Sequence, residues 1–361
     1  MEKTLQKEDL VFALKLTQPA LATIDFVPIN AHFCFEGDSV YAHNGELTVR
    51  VGLETGLHCG IHGVTLVRLS DLASKKISLT QEGDEVKFSS GRTRATLPVK
   101  AASDFVASMP SGKTKVPEVA LTDEFFDALD VCTKSVGADP HHSELTCVTL
   151  FLGPDTRMYA GDGQSLVVCP LKTQIGKKSR VLLLPSQLCR IVLQTKAALD
   201  MGDAGVVYFS VVEDGVVFRF DAAFPVSIFG KGMAESPADY EGMVGRLESS
   251  APKVTLPALF DAAVQKAAAV LDLDINKVVT LAQIKADGGK QRLVVSSDGS
   301  LGKVSTSLLI DDKLILEELV AQVVPSHLLR YISQVSHISV SEEVVRMYGP
   351  GFTFYVPTFS E

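Results

Sequence analysis

A short pattern recurs three times in this chain, and no other feature narrows the possible folds as much. Ser70-Asp71-Leu72-Ala73, Ser186-Gln187-Leu188-Cys189 and Ser326-His327-Leu328-Leu329 each follow a β-rich apolar run, at residues 64–69, 181–185 and 323–325. Each opens a helix-like stretch, and a hairpin pattern comes next. Starting at 70, 186 and 326, the copies lie 116 and then 140 residues apart. That period is too long for a solenoid and suits three whole domains. Three copies of one fold in a chain point to a symmetric architecture.

Each repeat also begins with a helical stretch: residues 9–14, 122–129 and 257–264, where apolar side chains recur three and four apart. Thr122 or Asp123 suits an N-cap, and Pro257 a first helical turn. Between the two helices of a repeat lie alternating strands broken by Glu36-Gly37-Asp38, Gly161-Asp162-Gly163 and Asp298-Gly299 turns. After the second helix come strands at residues 84–88, 214–218 and 343–347. Each repeat therefore reads as two similar halves, and the class is α+β with helices set against antiparallel sheets. The expected domains are residues 1–115, 116–249 and 250–361, with polar, turn-rich boundaries at 111–117 and 248–253.

At 361 residues the chain can bury more than one core, and its 46% hydrophobic and 21% charged residues suit a globular protein. No apolar run reaches the about 20 residues that span a bilayer, and the first residues lack a signal-peptide stretch, so a cytoplasmic location is expected. Cys34, Cys59, Cys132, Cys147, Cys169 and Cys189 form no C-x-x-C pair and sit among apolar residues. Buried free thiols are expected. A net charge of −9 argues against overall attraction to nucleic acid while leaving room for a local basic surface.

Several fragments imitate catalytic motifs. Ser111-Gly112-Lys113-Thr114 resembles the end of a phosphate-binding loop, but Ala107 stands where that loop needs its first glycine. His58, His62, His141 and His142 could supply metal ligands for a hydrolase, yet no second Cys/His cluster stands at a familiar spacing. Gly161-Asp162-Gly163-Gln164-Ser165 lacks the spacing of a nucleophile elbow. No catalytic residue, metal or cofactor is expected.

Longer stretches carry a family resemblance. Ser90-Gly91-Arg92-Thr93-Arg94-Ala95-Thr96-Leu97 followed by Ala102-Ser103-Asp104-Phe105 is similar to S-G-R-S-x-F-x-L and A-x-D-F-P of the bacterial β sliding clamp, the β subunit of DNA polymerase III. Asp162-Gly163-Gln164-Ser165-Leu166-Val167-Val168 resembles the clamp's D-G-H-R-L-A-V, Pro237-Ala238-Asp239-Tyr240 its F-P-D-Y, and Tyr355-Val356-Pro357-Thr358-Phe359 its terminal V-M-P-M. Order and spacing match along the whole chain.

The resemblance implies a head-to-tail homodimer whose six domains close a ring around double-stranded DNA and tether the replicative polymerase. Ala95 and Leu97 would meet Val270 and Leu271 of the neighbouring copy. A pocket for short peptides of the polymerase, clamp loader and repair proteins would be walled by Leu145, Gly163, Leu166, Ala238, Met243, Val344, Val356 and Pro357. Lys15, Arg68, Lys75, Lys76, Lys134, Arg190, Lys196, Lys266 and Arg330, in or beside helices, are the candidates to face DNA phosphates.

Departures stand beside these matches. The family's His-Arg is Gln164-Ser165, its pocket arginines align with His142 and Gly242, its gating tyrosine is His327, and the chain ends Ser360-Glu361. Such a pocket would prefer a different peptide, as a clamp of viral rather than bacterial origin would. Two other readings remain open on these residues: the metal-dependent hydrolase, and a clamp-like scaffold that no longer loads on DNA.

Overall fold

The structure is a computed structural model. It describes residues 2–22, 28–105, 113–139, 141–199, 205–232, 237–248, 251, 253–271, 277–285, 291–310, 320–341 and 343–359. Ala107, Ser111 and Gly112, the expected boundary at 249/250, and Ser360-Glu361 lie outside the described residues.

One sequence of elements passes three times. The first pass is β1 (Glu2–Gln6), α1 (Lys7–Thr17), β2 (His32–Glu36), β3 (Ser39–His43), β4 (Leu47–Gly52), β5 (His58–His62), α2 (Gly63–Asp71), β6 (Lys76–Glu82), β7 (Glu85–Ser90) and β8 (Thr93–Ala101). The second is β9 (Val116–Ala120), α3 (Asp123–Ser135), β10 (Cys147–Gly153), β11 (Arg157–Gly161), β12 (Leu166–Pro170), β13 (Ile175–Pro185), α4 (Ser186–Leu199), β14 (Val206–Val211), β15 (Gly215–Asp221) and β16 (Val226–Lys231). An extra helix, α5 (Tyr240–Leu247), precedes the third: β17 (Val254–Thr255), α6 (Phe260–Ala269), β18 (Val279–Lys285), β19 (Gln291–Gly299), β20 (Gly302–Ile310), β21 (Val320–Val323), α7 (Pro325–Tyr331), β22 (His337–Val340), β23 (Val344–Gly349) and β24 (Phe352–Pro357). Each pass is two strand–helix–three-strand halves, so the expected α+β repeat of paired halves is what the chain forms.

The first copy of the sequence pattern is out of step. Residues 64–69 read as a β-rich run, but they lie inside α2, and Ser70 sits near that helix's end. Gly63, Leu66 and Ser70 are its buried residues, a helical spacing that overrides the β preference of Val64 and Val67. The aligned triplets are Leu66-Val67-Arg68, Leu188-Cys189-Arg190 and Leu328-Leu329-Arg330. All three leucines are buried.

The chain divides into two compact units, Met1–Asp123 with Gln187–Ala234, and Glu124–Ser186 with Glu235–Glu361. The reason lies in the sheets, which are built from four-stranded blocks. In the first unit the block β5-β2-β3-β4 continues into β16-β15-β14-β9 through the β4–β16 ladder, with Val51 opposite Val226 and Leu47 opposite Gly230. In the second, β13-β10-β11-β12 continues into β24-β23-β22-β17 through β12–β24, with Leu166 opposite Tyr355. Backbone pairing thus joins consecutive repeats. Six strands each end a half-repeat (β4, β8, β12, β16, β20 and β24), and two of them have no such continuation among the described residues. One is β20, at the end of β20-β19-β18-β21, and the other is residues 93–98 of β8, which pairs with β7 on one side and meets β5 only through residues 99–101.

Each unit has its own core. In the first, Phe33, Phe35, Phe88, Phe209, Phe218 and Phe220 are fully buried beneath the helices, each contributing about 2–3 kcal/mol of apolar burial. In the second, Tyr331 of α7 is buried beside Phe354 and donates to the Val131 carbonyl at 2.5 Å, with the Ser135 hydroxyl 2.6 Å away. All six cysteines are buried and none forms a disulfide. Among the described residues no helix is long and apolar enough to cross a membrane.

Candidate peptide pocket and its surroundings

A cavity of about 200 Å³ in the second unit has a mainly apolar lining. Four pieces of chain form it: Leu145 just before β10, the turn between β11 and β12, helix α5, and Pro357 at the end of β24. Of the eight residues expected in the pocket, Leu145, Gly163, Leu166, Met243 and Pro357 line it. Ala238 packs against the aromatic cluster behind it, Val344 belongs to that cluster, and Val356 is wholly buried. Those three shape the wall from behind and offer a ligand little surface.

Helix α5 is amphipathic in the way the cavity requires. Tyr240, Val244 and Leu247 pack toward the cluster of Tyr159, Leu166 and Tyr355, and the Tyr159 and Tyr240 rings stack at 5.7 Å. Met243 and Arg246, three apart, line the cavity, and both are exposed. Asp239 caps the helix by accepting from the Gly242 amide at 3.0 Å. A side chain on residue 242 would run into that carboxylate, since a Cβ would lie 2.1 Å from Asp239 Oδ2. Position 242, where the family's arginine aligns, thus stays glycine, and the arginine that lines the cavity is Arg246, one turn later, which sequence comparison alone passed over. The i to i+4 relation of a capped helix was the available signal. His142, expected at the rim, does not line the cavity; it sits 3.5 Å from Glu144.

The β11–β12 turn is held by one carboxylate. Asp162 Oδ1 accepts from the Gln164 amide (3.0 Å), the Ser165 amide (2.8 Å) and the Ser165 hydroxyl (2.9 Å). Its Oδ2 accepts from Arg330 Nη1 at 2.9 Å and lies 3.8 Å from His327 Nε2. Burial opposes the charge on Asp162, but the Gln164 amide, the Ser165 hydroxyl and Arg330 outweigh it and hold the carboxyl below its ordinary value. Burial pushes His327 below its ordinary value, Asp162 pulls it back up and Arg330 adds to the lowering. Gly163 takes φ +85° here, a conformation that favours glycine.

The structure sorts the basic residues into two groups. Lys15, Arg68, Lys75, Lys76, Arg190 and Lys266 are exposed. Lys134 pairs with Asp130 at 2.5 Å, Lys196 with Asp123 at 3.3 Å, and Arg330 is turned into the second unit by Asp162. Arg330 thus carries its charge against a carboxylate rather than on an open face. Helix α3 also bears Glu124, Asp127 and Asp130 along a groove lined further by Lys172 and Gln334, so its outer face is acidic.

At the expected subunit contact, Leu97 is 5% and Leu271 2% exposed. Both belong to the cores of their own units, whereas Ala95 and Val270 are partly exposed. The sequence reading placed no residue of β20 at this contact, although its open edge carries Leu309 at 55% exposure. Of the histidines of the hydrolase reading, His62 stacks edge-on against His32 at 5.3 Å. Among the described residues no group of three or more His, Cys, Asp or Glu could hold a metal ion.

No protein-family model matches the sequence, and neither does any curated protein. Solved structures do match, at full length. The DNA polymerase sliding clamp from Bacillus subtilis superposes with a TM-score of 0.85 at 15% identity, covering 100% of this chain and 99% of that one. The sliding clamp from Caulobacter crescentus gives 0.83 at 18%, covering all of both chains. A DnaN sliding clamp from Pseudomonas aeruginosa bound to griselimycin gives 0.84 at 16%, again over both whole chains. From its first strand to its last, this chain has the fold of the bacterial DNA polymerase III β sliding clamp.

Proposed function

We propose that the protein is a DNA polymerase processivity factor, a head-to-tail homodimeric ring that encircles duplex DNA and holds polymerase and clamp loader through the cavity beside α5. The observation that carries the reading is the block pattern. Consecutive repeats join by β4–β16 and β12–β24, and the equivalent strands left open are β20 and β8. A second copy would supply the missing partner for each, so two chains would close a ring of six domains. The domains of this ring are residues 1–115, 116–249 and 250–361, each window holding one pass of the repeat. Its place of work is the cytoplasm, where DNA is replicated, and its task is tethering rather than catalysis.

An apolar slot with one arginine at its rim suits an extended Leu- and Phe-containing segment of a partner. DNA would be held by topology, with Lys15, Arg68, Lys75, Lys76, Arg190 and Lys266 making weak phosphate contacts that permit sliding. The acidic face of α3 favours a second reading, a ring-shaped scaffold that no longer loads. Light scattering followed by retention on nicked circular and linearised plasmid separates the readings. A dimer that stays on the circle and runs off the line is expected. A strict monomer at micromolar concentration, or equal retention on both templates, would overturn the clamp reading.

A further inference from the structure

We propose that Arg330 is a positioning residue for the pocket: by holding Oδ2 of Asp162 from helix α7, it fixes the pocket wall formed by residues 163–165 and so sets the affinity for partner peptides. The proposal rests on reading the cavity as a partner-peptide pocket.

The geometry assigns the two carboxylate oxygens separate tasks. Oδ1 organises the turn itself through two amides and a hydroxyl. Oδ2 ties that turn to α7, through Arg330 at 2.9 Å. Arg330 Nη1 also reaches the Ser165 hydroxyl at 3.3 Å, so the guanidinium grips the turn at two points. Gly163, Gln164 and Ser165, the residues so held, all line the cavity, with Leu166 following directly. Asp162 and Arg330 are both largely buried, at 17% and 25% side-chain exposure. A charge-assisted bond shielded to that degree retains much of its strength. Helix α7 is itself anchored, since Leu328 and Tyr331 are wholly buried and Tyr331 bonds the Val131 carbonyl. The wall of the pocket is therefore referenced to a rigid helix 168 residues away in sequence.

Without the guanidinium, Oδ2 would face His327 alone at 3.8 Å, and the turn would keep only its local bonds. Turns held by local bonds alone open readily, and ordering this one on binding would then cost affinity.

Two measurements on the full-length protein test this. The first is hydrogen exchange at the Gln164 and Ser165 amides, both bonded to Asp162. The second is binding of a fluorescein-labelled peptide containing Leu-Leu-Phe. Arg330→Ala is expected to speed exchange at both amides and weaken the peptide by about tenfold or more. Arg330→Lys, which can still donate one bond to Oδ2, is expected to recover most of both. Lys87→Ala, whose pair with Glu82 lies in the other unit, serves as the control and is expected to change neither. Unchanged exchange and affinity in Arg330→Ala would overturn the proposal, as would a lysine variant no better than alanine. If the labelled peptide fails to bind even the wild type, the pocket reading fails, and the exchange result alone decides whether Arg330 holds the turn.

Discussion

Asp162 and His327 share a buried site in which only one of them is comfortably charged. The folded protein disfavours the His327 imidazolium, chiefly through burial, so the unfolded chain takes up this proton first on acidification. The stability His327 contributes is complete above its ordinary value of 6.5 and is lost as pH falls below that toward the folded-state value. His43, also lowered by burial, acts in the same direction. Asp162, held low, keeps its contribution until far more acidic pH. His327→Gln is therefore expected to lose less thermal stability than the wild type between about pH 7.5 and about pH 5.5. Identical losses in thermal melts of the two proteins would remove His327 from the account. Little of this site was legible in advance. Asp162 and Gly163 announced a turn by their residue types, but Arg330 read as one more basic residue on a helix. Its partner stands 168 positions away, and no local pattern records such a pair.

At the scale of elements, strands that pair within a repeat were readable and edges were not. The Gly37, Gly163 and Gly299 turns marked hairpins because turn chemistry is local. The pairing of β12 with β24, by contrast, depends on which block edges meet, and the same alternating pattern would serve an outer strand or an inner one. Helix α2 shows the limit from the other side: Val64 and Val67 favour a strand, and only packing of Leu66 and Ser70 makes the segment helical. The open edge of β20 carries the prediction that belongs here. Leu309 is 55% exposed on that edge, and Leu309→Lys is expected to give a monomer by light scattering while shifting the melting temperature by no more than about 2 °C. A variant that remains dimeric would show that β20 takes no part in the contact. One that melts far earlier would place Leu309 in its own unit's core.

For the molecule as a whole, a net charge of −9 and the pairing of Lys134, Lys196 and Arg330 with carboxylates leave a modest basic surface. A ring that depended on phosphate contacts would release DNA steeply as salt rises. Retention by enclosure does not. Retention on nicked circular plasmid is expected to fall by less than about twofold between about 50 and about 500 mM NaCl, whereas binding to a short open duplex should be weak throughout. A steep fall on the circle would mean that contacts, not topology, hold the protein.

Three repeats of paired helices and hairpins, the α+β class, the buried thiols and the sliding-clamp resemblance were determined by the sequence itself. Periodicity, turn chemistry and composition act over a few residues and leave their mark there. The register of the first repeat, the arginine that lines the pocket, the capture of Arg330 by Asp162 and the two open strand edges were decided only in three dimensions. Each depends on side chains or backbones brought together from distant parts of the chain, where desolvation and hydrogen-bond geometry, rather than residue type, choose the partner.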